Sequence, residues 1–157
     1  MIDFGNLLPE LFVGSCPSNE VDVKQLRLMG ITGVLNLQTD ADFERWKIDF
    51  SALQQASYDL DLVIQRVPII DFDDADLARH LPASVTLLQR MLAVGHTVYL
   101  HCTAGKERSP TVALGYLSLC RGMELQQAVT HITQIRDCQP KAQVVADFLS
   151  SRRNDAS

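Results

Sequence analysis

Basic residues are scarce in this chain: 14 lysines and arginines stand against 19 aspartates and glutamates, a formal charge of −5. That balance excludes the positive footprint needed to neutralise a nucleic-acid backbone or to dock on an anionic membrane. No apolar run approaches the roughly 18 residues of a membrane span, and Met1 to Asn6 lack a basic segment followed by an apolar stretch. A cytoplasmic protein without a membrane span is the expectation. The four cysteines, Cys16, Cys102, Cys120 and Cys138, include no C-x-x-C pair, which removes the usual zinc spacing, and a reducing compartment disfavours disulfides. Cys16, Cys120 and Cys138 have apolar neighbours and read as small core residues. Repeats and low-complexity segments are absent, and 157 residues suit one domain, 1–157, with a core of its own. No metal or organic cofactor is expected, nor any partner beyond a substrate, and the expected state is a monomer. Any anion bound here must be captured by local geometry.

What is present is an alternation of short apolar runs and helical stripes. Leu11 to Gly14, Gly33 to Leu37, Val63 to Ile70 and Thr97 to His101 read as strands, the third limited to an edge or an end by Pro68. Helical spacing marks Val21 to Met29, a helix opened by Pro82 and stopped at Gly95, Thr111 to Cys120, Leu125 to Ile135, and a last segment around Val144 to Leu149. Gln38 to Phe50, with the single tryptophan Trp46, reads as a long exposed loop with some helix. Such alternation predicts an α/β fold, a central sheet of four or five strands flanked by helices on both faces, whose site lies at the strand ends.

The segment His101-Cys102-Thr103-Ala104-Gly105-Lys106-Glu107-Arg108-Ser109 joins a predicted strand to a predicted helix. Amides between Cys102 and Arg108 are placed to turn inward as a nest of donors, and the helix N-terminus adds its dipole. Arg108 offers a planar fork that matches two phosphate oxygens. The same donors stabilise a thiolate, so Cys102 is expected to have a depressed pKa, within the roughly 3.5 to 7.5 span of such loops. A sulfenic acid formed at such a thiolate by peroxide would inactivate it reversibly. Ser109 is placed to donate to the sulfur when it leaves a phosphocysteine, while His101 is expected to fix the loop. A carboxylate at Glu107 would repel a dianion unless it points outward or pairs with Lys106, and the outward position is expected.

This segment resembles the H-C-x-x-G-x-x-R-[S/T] signature of protein tyrosine and dual-specificity phosphatases. The resemblance implies cysteine-based hydrolysis of phosphate monoesters, and a proton-donating aspartate in a loop after a strand ending apolar-Pro-apolar-x-Asp. Val67-Pro68-Ile69-Ile70-Asp71 supplies it, 31 positions before Cys102, with Asp73 and Asp74 as the alternatives, and general-acid work is what such a carboxyl performs. The likeness runs from Leu8 through Leu125. Within the family the chain resembles plant glucan phosphatases and laforin, through Pro9 to Cys16, Asp71-Phe72-Asp73, Leu81-Pro82-Ala83 and Cys102 to Gly105. That implies sugar-stacking roles for Trp46 and Phe72, although Arg45 stands where those enzymes carry an aromatic, and Glu107 where they carry glycine. The Gly105-Lys106-Glu107-Arg108 run is similar to bacterial and lipid phosphatases, in which the lysine favours several phosphates. Phosphoprotein and phosphoglucan are the expected substrates, phosphoinositide the third. A pseudophosphatase that binds phosphate without hydrolysis is the non-catalytic alternative.

Overall fold

The short apolar runs pair side by side because each buries alternate residues on two faces. In the computed structural model, which describes residues 1–156, four of them become β2 (Leu11–Gly14), β3 (Gly33–Asn36), β4 (Val63–Arg66) and β5 (Val98–His101), and a further strand, β1 (Phe4–Leu8), precedes them. The helices are α1 (Glu20–Leu28), α2 (Asp40–Arg45), α3 (Phe50–Asp59), α4 (Asp74–Ala93), α5 (Arg108–Cys120), α6 (Leu125–Ile135) and α7 (Ala142–Ala156). The five strands form one sheet in the order β1-β2-β5-β3-β4, with a β1–β2 hairpin at one edge and parallel pairing elsewhere.

Strand alternation sorts the core into two halves. On one face Val98 and Leu100 of β5 join Leu11, Val13 and Leu35 against Leu81, Val85 and Leu88 of α4, Leu114 and Leu117 of α5, and Ile132 of α6. On the other, Tyr99 and Val34 meet Val23 and Leu26 of α1 and Leu53 of α3. Parallel register then aligns the strand ends: Gly14 and Asn36 both pair with His101, and Asn36 pairs with Arg66. Loops leaving β2, β3, β4 and β5 therefore meet at one carboxyl edge, centred on Cys102.

Several elements differ from the sequence reading. Pro82 lies inside α4, which begins at Asp74, where the Asp73 side chain accepts the Asp76 amide as an N-cap. The interior proline costs about 3 kcal/mol, and burying Leu77 and Leu81, at about 2 kcal/mol each, offsets it. The 38–50 stretch is not a long exposed loop: a Thr39–Asp42 capping box starts α2, and Phe43 and Ile48 are buried in the second core. β1 and α3 were not marked in the sequence. β4 ends at Arg66, and α5 starts at Arg108, three residues before the expected Thr111. Among the described residues no helix is long and apolar enough to cross a membrane.

The junction of the hairpin with β5 leaves no room for a side chain at Gly14. A Cβ there would stand 2.4 Å from both the Asp3 carbonyl oxygen and the Tyr99 hydroxyl, itself bonded to the Ser15 carbonyl at 2.6 Å. Gly14→Ala is expected to cost about 2 kcal/mol through overpacking, read as a lower urea midpoint at unchanged slope. An unaltered midpoint would mean that the β1–β2 edge yields freely.

Candidate active site

Six consecutive carbonyls of the loop after β5 are each held from outside. The Cys102 carbonyl accepts from His101 Nδ1 at 2.9 Å, that of Thr103 from the Cys16 amide at 2.9 Å, and that of Ala104 from Arg136 Nη2 at 2.9 Å. Gly105 accepts from Arg136 Nε at 2.8 Å, Lys106 from the Gln139 amide at 2.7 Å, and Glu107 from the amide and hydroxyl of Thr111 at 3.0 and 2.6 Å. In a planar trans peptide the N–H points opposite to the C=O. The amides of Thr103 to Arg108 are thereby directed to the inner side of the loop, and none has an acceptor among the described residues. Gly105 makes the curve possible: its φ is +69°, and a Cβ would stand 2.4 Å from the Gly14 carbonyl carbon. α5 begins at Arg108, and its N-cap, Glu107, makes no side-chain capping bond, so the positive end of the helix also faces the cradle. A ring of donors with a helix N-terminus below it is an anion site that needs no net positive charge.

Cys102 is buried at the base of the cradle, with Sγ 3.2 Å from Ser109 Oγ. Arg108, also buried, spans the site: Nη1 donates to Asp42 Oδ2 and to the Ile69 carbonyl, both at 2.8 Å, and Nη2 to Thr103 Oγ1 at 3.3 Å. Its Nε lies 3.2 Å from Asp71 Oδ1, close enough to pair but without the alignment of a hydrogen bond. Burial alone would raise the Asp42 pKa, but the Arg108 bond and the Thr39 amide outweigh it and hold this carboxyl below its ordinary range. Gln38 Nε2 donates to Thr103 Oγ1 at 3.0 Å, so one hydroxyl links β3's exit to the arginine.

Asp71 follows β4 on a loop fixed by the next helix. Asp76, buried, accepts the Ile70 amide at 2.8 Å, and Asp73 caps α4. Asp74 pairs with Lys141 at 3.7 Å. Phe72 turns through a φ of +59° and is 85% exposed, a conformation that costs of order 1 kcal/mol for a bulky side chain. A cleft of about 260 Å³ lies over the cradle, lined by Asp71, Phe72, Cys102, Ala104, Lys106, Glu107, Arg108 and Gln139. Larger grooves of about 470 and 430 Å³ lie elsewhere, neither lined by a cysteine.

Cys102, Thr103, Ala104, Gly105, Lys106, Glu107, Arg108, Ser109, Asp71, Phe72 and His101 are thus brought together. Trp46 is not: it caps α2, 55% exposed beside Arg45, and does not line the cleft. The outward Glu107 is corrected. It is half-buried at the cleft wall, and its carboxylate lies 3.5 Å from Lys141, which draws it aside, while Lys106 pairs instead with Asp137. Cys16, Cys120 and Cys138 are free thiols, each pushed up in pKa chiefly by burial. Among the described residues no group of three His, Cys, Asp or Glu is placed to hold a metal ion. Asp42, Gln38 and Arg136 were missed. The Thr39-x-x-Asp42 spacing is a signal for a capped helix start that the loop reading passed over, and nothing local marks contacts made across 66, 65 and 31 residues of chain.

Comparison with known proteins covers nearly the whole chain. The family described as dual specificity phosphatase, catalytic domain, matches residues 11–151. The amyloplastic phosphoglucan phosphatase DSP4 of Castanea sativa is 35% identical over 159 residues, covering 97% of this chain and 42% of that protein. The chloroplastic phosphoglucan phosphatase LSF1 of Arabidopsis thaliana is 32% identical over 143 residues, 91% of this chain and 24% of that one. The chain thus spans less than half the length of either relative. The crystal structure of PTPMT1 superposes with a TM-score of 0.77 at 20% identity, over 98% of each chain.

Two outcomes follow from the buried charges. Asp42→Ala leaves Arg108 short of its best counter-ion and is expected to cost on the order of 3 kcal/mol in denaturant unfolding; a loss under about 0.5 kcal/mol, the size of an exposed pair, would contradict that. Burial, reinforced by Arg108 and opposed by the bond to the Cys102 carbonyl, lowers the His101 pKa from 6.5 to about 4. Between those values the unfolded chain takes up a proton that the folded chain refuses, so stability present above pH 6.5 is lost as the pH falls toward 4. The stability advantage of wild type over His101→Asn should shrink across that window, and a constant difference would contradict it.

Proposed function

Because the chain belongs to the dual-specificity phosphatase catalytic-domain family, we propose that it hydrolyses phosphate monoesters through a covalent phosphocysteine on Cys102. The observation that carries this reading is the cradle of six inward amides closing over one buried thiol. In the first step the Cys102 thiolate attacks phosphorus, the S–P bond forms and the ester P–O bond breaks. The amides of Thr103 to Arg108 and the Arg108 fork hold the three non-bridging oxygens as their charge develops. Engaging phosphate draws Arg108 off Asp71, which as the neutral acid gives its proton to the leaving oxygen. In the second step water attacks phosphorus, Asp71 takes its proton, and Ser109 donates to the departing sulfur, releasing phosphate and thiolate. No cofactor enters, and the chain acts as a monomer in a reducing, cytoplasmic setting that keeps the thiol available.

Phosphoglucan is the substrate this reading favours. Two relatives above 30% identity are named as phosphoglucan phosphatases, and Phe72 is held at a strained backbone position with its ring open to the cleft mouth, where a sugar face has a platform. Trp46 has no part in gripping the phosphoryl group. Lys106 is tied to the Asp137 carbonyl at 2.7 Å and to its carboxylate, which weighs against a substrate carrying several phosphates. Phosphoprotein remains the second substrate class, since the cradle itself reads only the phosphoryl group.

The test is phosphate release from p-nitrophenyl phosphate, a phosphotyrosine peptide, solubilised phosphoglucan and a phosphoinositide, for wild type, Cys102→Ser and Asp71→Asn. Wild type should turn over, fastest on phosphoglucan, and Cys102→Ser should be inactive. Asp71→Asn should lose about 10²- to 10⁴-fold in kcat on phosphoglucan, the range of a general acid, and far less on p-nitrophenyl phosphate, whose leaving group needs no proton. A wild type that binds phosphate yet hydrolyses none of the four would replace this reading with a phosphate-binding module.

A further inference from the structure

We propose that Arg136 is a positioning residue for the phosphate cradle, fixing two of its six amide donors; this rests on the reading of the site given above. Arg136 is the C-cap of α6, remote in sequence from the loop, yet its side chain is only 5% exposed. Nε donates to the Gly105 carbonyl at 2.8 Å and Nη2 to the Ala104 carbonyl at 2.9 Å. The Ala104 carbonyl shares its peptide with the Gly105 amide, and the Gly105 carbonyl shares its own with the Lys106 amide. One guanidinium thus sets the direction of two successive donors.

These are the peptides most in need of a clamp. Gly105, at φ +69°, is the one residue of the loop without a Cβ, and peptides flanking glycine rotate at the lowest cost. If the 104–105 or 105–106 peptide turned over, a carbonyl oxygen would replace an amide proton and face the anion. The rigid fork holds both carbonyls at once, whereas a lysine ammonium lacks that planar geometry. The third arm fixes the clamp itself: Arg136 Nη1 lies 2.7 Å from Asp3 Oδ1. Asp3 is tied in turn to Ser15 by its amide to Oγ and by its carbonyl to the Ser15 amide, both at 2.9 Å. The cradle is thereby braced from behind by β1 and β2.

A residue that merely staples α6 to the sheet would affect melting and leave the donors unchanged. Tungstate, a phosphate-shaped oxyanion, is titrated into the full chain labelled with ¹⁵N, as wild type, Arg136→Lys and Arg136→Ala, with p-nitrophenyl phosphate turnover measured on each. In wild type the amides of Thr103 to Arg108 should shift together on binding. In Arg136→Ala the response at Gly105 and Lys106 should collapse while Thr103 and Arg108 still respond, with tungstate Kd weakened by about tenfold or more, as for donors lost to an anion. Arg136→Lys, with the charge but not the fork, should fall between the two. Folded variants whose Gly105 and Lys106 amides and tungstate Kd match wild type overturn the proposal, whatever their melting temperature. Should Arg136→Ala fail to fold, Arg136→Lys and Asp3→Asn carry the same comparison, and wild-type behaviour in both overturns it. Wild type that binds no tungstate overturns the reading of the site itself, an outcome distinct from equal binding by all variants.

Discussion

A planar peptide cannot turn its carbonyl outward without turning its amide inward, and that coupling governs the site. The donors that seize the carbonyls of residues 102 to 107 come from four places: His101 at the end of β5, Cys16 after β2, Arg136 and Gln139 after α6, and Thr111 in the first turn of α5. Each is delivered by a different part of the fold, so strand order, register and the return of α6 toward the hairpin all converge on the orientation of one loop. The two cores, split by the alternation of Val98, Tyr99 and Leu100 across the sheet, keep those parts in place.

Charge is handled by the same economy. A chain of formal charge −5 concentrates positive potential at one point through backbone dipoles, a helix N-terminus and two buried guanidiniums, Arg108 in the site and Arg136 behind the loop. Arg108 is held in readiness by Asp42 and the Ile69 carbonyl, and Asp71 meets it from the opposite loop. Taking a guanidinium out of water costs several kcal/mol unless its donors are met, which explains why its partners come from α2, the Asp71 loop and the cradle itself. Glu107, the one acid in the cradle, is drawn to Lys141, so its charge is countered at the cleft wall.

The nucleophile, its arginine and the strand-loop-helix setting were legible because they are local: a Cys and an Arg six positions apart, an apolar strand before them and a helical stripe after. The alternation of runs likewise pointed to an α/β sheet with helices on both faces. What local pattern concealed is what tertiary contact supplies. Leu77 and Leu81 carry α4 past Pro82, against the usual weight of a proline, and Phe43 and Ile48 bury a stretch whose polar residues suggested an exposed loop. Asp42, Gln38 and Arg136 act on Arg108 and the loop from far along the chain, and an arginine at a helix end reads as solvated until the fold brings it beneath two carbonyls. Glu107 failed for the same reason, since Lys141 lies 34 positions away.

The claim that the cradle is built in advance of any ligand is tested most directly by crystal structures of the full chain with and without bound tungstate. The expected result is one loop conformation in both, all six carbonyls on their outside partners and tungstate oxygens within hydrogen-bond reach of the amides from Thr103 to Arg108. A ligand-free loop with the Ala104 or Gly105 carbonyl turned inward, righted only when tungstate binds, would contradict it.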